Sequence, residues 1–235
     1  MPFGRIVKKR ESEKMNPELE DKGFIIIKDF FSSEDISEMR EISSKYFDQG
    51  GGFDNSGGMA RPGWIADEKL SRLLELCSVE KLINSISSII EEEVGFVGHN
   101  DLHLNRSVGW HKDRLNGKAR VFEKSNPWST IDGEVMKIFK VNIYLQDHDK
   151  TDDGLIVREG SHKSENMNHG RINPIRTKIG DVILFDQRIT HKAERINSRN
   201  RFLICLGFGV KNIFFEEFER GTIFRQNSQS KQVRV

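Results

Sequence analysis

Three side chains carry most of the chemistry this sequence can offer. His111 and Asp113 stand two residues apart in Gly109-Trp110-His111-Lys112-Asp113. In an extended chain, residues i and i+2 point to one face, so both side chains can reach one metal ion from one strand end. A third ligand must come from a distant strand. His191 is the best candidate, because Gly180 to His191 reads as a strand, a turn and a second strand that opens on the imidazole. Two imidazoles and a carboxylate fill three positions of an iron ion and leave three open for a cosubstrate and O2. A His-x-Asp by itself is common by chance and also describes a surface His beside a solvated acid. The same three ligands would suit Zn2+.

Arg201 follows His191 by ten residues and opens the apolar run Phe202-Leu203-Ile204-Cys205-Leu206. A guanidinium pointing into a barrel needs an anionic partner, since its charge is not buried alone. Its planar fork suits a carboxylate, and the distal carboxylate of 2-oxoglutarate is such a partner. The competing reading is a salt bridge at the strand edge, and Arg199 shares the parity of Arg201. His99 and His103 flank a strand just before the His-x-Asp and read as satisfied structural histidines, with a substrate contact as the alternative. His148 and His169 sit in polar loops, and His162 in the turn Glu159-Gly160-Ser161-His162-Lys163.

These residues need a scaffold of strands. Residues 1–18 are charged, lack periodicity and read as a loosely held lead-in. Residues 24–30 are β-branched and aromatic and predict a strand. Ser32 or Ser33 caps a helix running to about Tyr46, with Ile36, Met39 and Ile42 on one face. The Gly-rich stretch 49–63 predicts a mobile loop or, on a sharper reading, an active-site lid. Helices follow at 67–77 and 79–93, the second with the apolar stripe Leu82, Ile83, Ile86, Ile89 and Ile90. Beyond Gly95, short strand-like runs dominate, at 94–98, 101–107, 136–146, 154–158, 181–185, 189–194 and 201–210. That spacing indicates a sandwich or barrel. The tail, 225–235, is polar and is expected to fray. The expected organisation is one domain over 1–235, with a strand and helical layer (19–93) packed outside a β-rich core (94–215).

Composition excludes several classes. A net charge of +1 favours neither nucleic acid nor an anionic membrane as partner. No apolar stretch approaches the roughly 20 residues that span a bilayer. The basic N-terminus has no apolar h-region and does not read as a secretory signal. Cys77 and Cys205 lie in apolar runs and read as buried thiols rather than a disulfide. A cytoplasmic location, where Fe(II) persists, is therefore expected. Sixteen Phe against two Tyr point to an interior filled by aromatic rings.

Four segments, in order, resemble the phytanoyl-CoA dioxygenase family of Fe(II)/2-oxoglutarate oxygenases. They are Leu19 to Ile27 with Phe30 to Ile36, Trp110-His111-Lys112-Asp113, the turn from Asp153 to Lys163, and Gly180 to Arg201. The resemblance implies a mainly β fold with N-terminal helices around a double-stranded β-helix (a jelly roll, cupin-like), with iron at one open end. It implies Fe(II), 2-oxoglutarate and O2 as cofactor and cosubstrates, decarboxylation to succinate and CO2, and hydroxylation of a small-molecule substrate. His111, Asp113 and His191 match the family's metal ligands and Arg201 its cosubstrate arginine. Asn105 is the candidate for a further polar contact to the cosubstrate. The sequence departs from the pattern in three ways. Glu159 replaces a usual Pro, Ala193 replaces a Ser or Thr that often helps hold the cosubstrate, and the spacing to Arg201 is short. Because Asp113 is present, hydroxylation is favoured over halogenation.

Between Asp113 and Val135 lies a polar insertion with Arg114, Lys118, Arg120, Lys124 and Trp128. In the implied fold it hangs over the metal mouth. It could select an anionic substrate, with Phe122 and Trp128 closing over it, or it could be a solvated loop. The rival functions are a non-catalytic cupin-like metal or small-molecule sensor and a Zn-dependent hydrolase or isomerase.

Overall fold

A computed structural model describes residues 15–55, 57–113, 115, 121–122, 124–148, 154–193 and 200–230. Its elements in chain order are α1 (Pro17–Lys22), β1 (Phe24–Ile27), α2 (Ser33–Asp48), β2 (Phe53–Asn55), β3 (Gly58–Pro62), α3 (Ser71–Cys77), α4 (Val79–Ile90), β4 (Val94–Leu104), β5 (Val108–His111), β6 (Ile138–Tyr144), β7 (Leu155–Glu159), β8 (Arg171–Pro174), β9 (Val182–Asp186), β10 (His191–Ala193), β11 (Phe202–Val210) and α5 (Ile213–Ser230).

The strands form two antiparallel sheets. The larger has the order β1-β9-β6-β11-β4-β3-β2 and the smaller β5-β10-β7-β8. Together they make a double-stranded β-helix. Every residue of β6 and β9 is buried, because the larger sheet is covered on both faces. Outward-facing Phe139, Val141, Ile143, Val182, Leu184 and Ile204 pack under the helices, against Leu19, Ile36, Met39, Leu73, Leu82 and Ile86. Inward-facing Tyr144, Ile183, Phe185 and Leu203 meet Leu155, Val157 and Ile189 from the smaller-sheet side. Such double coverage makes a strand read as a continuous apolar run. A third cluster closes one end of the jelly roll. There Val97, Met136 and Ile138 pack with Val121 and Phe122 of the insertion and with Phe214, Phe215 and Phe218 of α5.

Local chemistry fixes the helix starts. Ser32 caps α2, its Oγ accepting from the Asp35 N–H at 3.0 Å. Asn16 caps α1 through the Glu18 N–H at 2.9 Å, and Gly23 ends it in the left-handed conformation (φ 83°). Gly180 (φ 91°) feeds β9, and a Cβ there would stand 2.4 Å from the Phe31 carbonyl oxygen. Both cysteines are free and buried. No helix among the described residues is long and apolar enough to cross a membrane.

Several expectations need correction. The Gly-rich 49–63 stretch is not a loop throughout. It supplies the hairpin β2–β3, with Asp54 opposite Met59, and β3 pairs with β4 from Met59↔Leu104 to Pro62↔Asp101. Edge pairing through the main chain needs no apolar alternation, so the side chains gave no sign of it. The runs 94–98 and 101–107 are one strand, bent at Gly98 (φ 75°), where the register with β11 shifts. The strand predicted at 24–30 ends at Ile27, before the left-handed Asp29. The helix predicted at 79–93 stops at Ile90 because Glu91 is left-handed. At 67–77 a 3-10 turn, Glu68–Leu70, precedes α3. The lead-in already turns helical at Pro17, and residues 225–230 of the supposed frayed tail belong to α5.

Candidate metal centre

The two sheets bring the three candidate ligands together. β5 ends on His111 and β10 begins on His191, directly opposite in the register. Asp113 follows just beyond β5. His111 Nε2 lies 3.2 Å from Asp113 Oδ1, and His191 Nε2 lies 3.5 Å from Asp113 Oδ2. One ligand atom from each residue falls within 4.8 Å of the other two, and the imidazole centroids are 4.3 Å apart. Among the described residues, this is the one His, Cys, Asp and Glu group close enough to share an ion.

The ring orientations suit a metal. His111 Nδ1 faces the Gly109 carbonyl at 2.7 Å and His191 Nδ1 faces the Ile189 carbonyl at 3.1 Å. An Nδ1–H donated to each carbonyl leaves both Nε2 lone pairs aimed at the gap beside Asp113. Burial works against ionising Asp113, but Lys140 and the imidazoles outweigh it and hold its carboxyl well below the usual range. Burial also disfavours a charged His111, but the adjacent Asp113 lifts its pKa above the ordinary value. Burial and then His111 lower that of His191.

Lys112, between the first two ligands, points to the opposite face. Its buried ammonium donates to the carbonyls of Ser161 (2.7 Å) and Arg188 (2.6 Å), and burial pulls its pKa down to about 8. Gln187 Nε2 donates to the Asp113 carbonyl at 2.7 Å, and Thr190 N–H donates to Ser161 Oγ at 2.8 Å. The turn around Ser161 thus clamps the segments carrying all three candidate ligands. Trp128 joins this clamp, donating its indole N–H to the His162 carbonyl at 2.9 Å.

The triad opens on a cavity within the jelly roll. Arg201, at the start of β11, lines it and is only 6% exposed; Ala193 lies on the same wall. Arg199 falls outside the described residues. Asn105 does not line the cavity. Its Oδ1 accepts from the Arg201 backbone N–H at 2.8 Å and its Nδ2 donates to Asn200 Oδ1 at 3.0 Å, so it fastens the strand that presents Arg201. The Asn105 backbone is left-handed (φ 58°).

His99 and His103 point into the same cavity, on either side of Asp101. Asp101 in turn forms a bidentate ion pair with Arg225 of α5. Phe122 is fully buried against Phe214 and Phe218. Neither Phe122 nor Trp128 lines the cavity; Phe122 packs against α5 and Trp128 bonds the His162 carbonyl. Arg114, Lys118 and Arg120 lie outside the described residues.

Sequence reasoning passed over Lys140, Asp101, Arg106 and Arg225, all on the cavity wall. Lys140 carries the strongest overlooked signal. It is a lone cation in the apolar run of β6, on the same parity as Asn142 and Tyr144, and its ammonium is bonded to Asp113 Oδ2.

No protein-family model matches the sequence, and no curated protein matches it. Solved structures do. AviO1 from Streptomyces viridochromogenes Tue57 matches at 16% identity over 82% of this chain and 91% of its own, with a TM-score of 0.62. HygX from Streptomyces hygroscopicus, solved with nickel and 2-oxoglutarate and also with hygromycin B, matches at 16% over 82% and 85%, with a TM-score of 0.60. EctD from S. alaskensis, solved with 2-oxoglutarate and 5-hydroxyectoine, matches at 18% over 82% and 74%, with a TM-score of 0.59. These likenesses show that the chain shares the jelly-roll fold of those structures.

Proposed function

We propose that this protein is an Fe(II)/2-oxoglutarate-dependent oxygenase that hydroxylates a small-molecule substrate. The observation that carries the reading is the convergence of two Nε2 atoms on the Asp113 carboxylate from adjacent strands, at a cavity that also holds Arg201. His111, Asp113 and His191 hold the iron on one face and leave the other face to ligands. Arg201 receives the distal carboxylate of 2-oxoglutarate through its planar fork. Asn105 holds the Arg201 main chain, and so acts on the cosubstrate through Arg201. With iron and 2-oxoglutarate bound, the pair supplies the oxidising power: O2 gives one oxygen to succinate as CO2 leaves and the other to the substrate. Phe185, Leu203, Val108 and Leu155 line the cavity with apolar surface and limit water at the reacting centre. The chain works as one domain in a reducing compartment.

The test is the anaerobic visible spectrum of the protein with Fe(II), before and after 2-oxoglutarate. Chelation gives a weak charge-transfer band, expected in the native protein and absent from His191→Ala. Iron binding with no band would overturn the reading and favour a metal sensor or a hydrolase. A band followed by substrate-dependent succinate release completes the assignment.

A further inference from the structure

Six side chains on the cavity wall carry carboxylate, ammonium or guanidinium groups: Asp101, Arg106, Asp113, Lys140, Arg201 and Arg225. In the oxygenase reading, on which this inference rests, the metal's two charges and Arg201 are balanced by Asp113 and the two carboxylates of 2-oxoglutarate. Asp101 and Arg225 neutralise one another as a bidentate pair. Lys140 and Arg106 are left over. The Lys140 side chain is 6% exposed, and its one ion-pair partner among the described residues is Asp113, whose charge a bound dication claims. Arg106 has no carboxylate partner among the described residues; its Nη1 stands 3.4 Å from His103 Nε2, and its Nε is buried. Two cations on one cavity wall, Lys140 buried and Arg106 half-buried, call for negative charge, because an uncompensated buried charge is costly. The cosubstrate's own charge is already spent.

We infer that the substrate is an anion, bearing a carboxylate or a phosphate, and that Lys140 is its anchor beside the metal. Lys140 is suited to the task by position. It lies on β6 two and four residues before Asn142 and Tyr144, on the same inward face, with its ammonium at the metal's carboxylate ligand. An anionic group held there would place the attached carbons near the metal. Arg106 adds positive potential from the Arg201 side of the cavity, its carbonyl accepting from Arg201 Nη2.

The experiment uses protein loaded with Mn(II) and 2-oxoglutarate, and reads paramagnetic relaxation of small probes by NMR. The probes are acetate, inorganic phosphate and, as the neutral control, acetamide. Failure of 2-oxoglutarate to bind the Mn(II) protein would remove the oxygenase reading itself. If 2-oxoglutarate binds, saturable enhancement of acetate or phosphate relaxation, at least tenfold above acetamide, is expected. Acetate responding alone identifies a carboxylate, and phosphate responding alone a phosphate. The enhancement should fall at least tenfold in Lys140→Met and persist within about threefold in Lys140→Arg. Anions relaxed no more than acetamide, or equally in native protein and Lys140→Met, would overturn the inference while leaving the oxygenase reading in place. The comparison of anions with acetamide in native protein stands even if a variant folds poorly.

Discussion

Replacing Arg225 by Met tests whether the C-terminal helix is a true wall of the cavity. Arg225 reaches from α5 to Asp101 on β4, with Nη1 2.9 Å from Oδ2 and Nη2 on Oδ1. The carboxylate is 5% exposed and the guanidinium 14%. Met keeps much of the aliphatic volume and removes the charge, which leaves Asp101 buried without its counter-charge. Breaking one side of such a pair costs about 3–5 kcal/mol. Two imidazoles soften the loss, since His99 Nε2 and His103 Nε2 lie 3.6 and 3.8 Å from Asp101 Oδ2. Urea unfolding of native protein, Arg225→Met, Asp101→Asn and the double variant at pH 8 measures this. The double variant should be less destabilised than the sum of the singles by about 1–3 kcal/mol. A deficit under about 1 kcal/mol at pH 8, as for an exposed pair, or strict additivity would refute the reasoning.

Two further outcomes follow from the same cavity and its cap. Phe122→Ala should lower stability by about 3–5 kcal/mol in urea unfolding, because the ring is fully buried against Phe214 and Phe218. Phe122 does not line the cavity, so 2-oxoglutarate affinity measured on the folded variant should stay within about threefold. His103 is held neutral, its pKa pushed down to about 3 by burial and then by Arg106. Below about 6.5 the unfolded chain binds a proton that the folded chain refuses, so stability falls with pH at up to about 1.4 kcal/mol per unit down to roughly 3. His103→Gln should flatten the urea-midpoint profile between pH 6 and 4, and an unchanged slope would show that the imidazole is solvated.

The candidate metal triad was legible because it needs only local geometry and one distant partner. His111 and Asp113 share a strand face at a spacing of two, and the turn into His191 announces itself through Gly180 and Asp186-Gln187. A sandwich or barrel was legible from the short strand-like runs bounded by turn residues, β9 and β11 being apolar on both faces, while the jelly roll rested on the family resemblance. The β2–β3 hairpin and α5 were not legible. The first is held by main-chain pairing on β4. In the second, polar Arg225 and Gln226 face inward, to Asp101 and to the Gly98 carbonyl, so the helix shows no simple apolar stripe toward its end. The same physics hides the cavity's charge. Whether Lys140 faces outward to the helices or inward to the candidate metal site depends on the register of β6 between β9 and β11, and a slip of one residue would exchange the two faces. A cation in such a strand is costly on either face unless paired. Its presence there therefore already says that an anion stands nearby, although only the folded register identifies Asp113 as the one it meets.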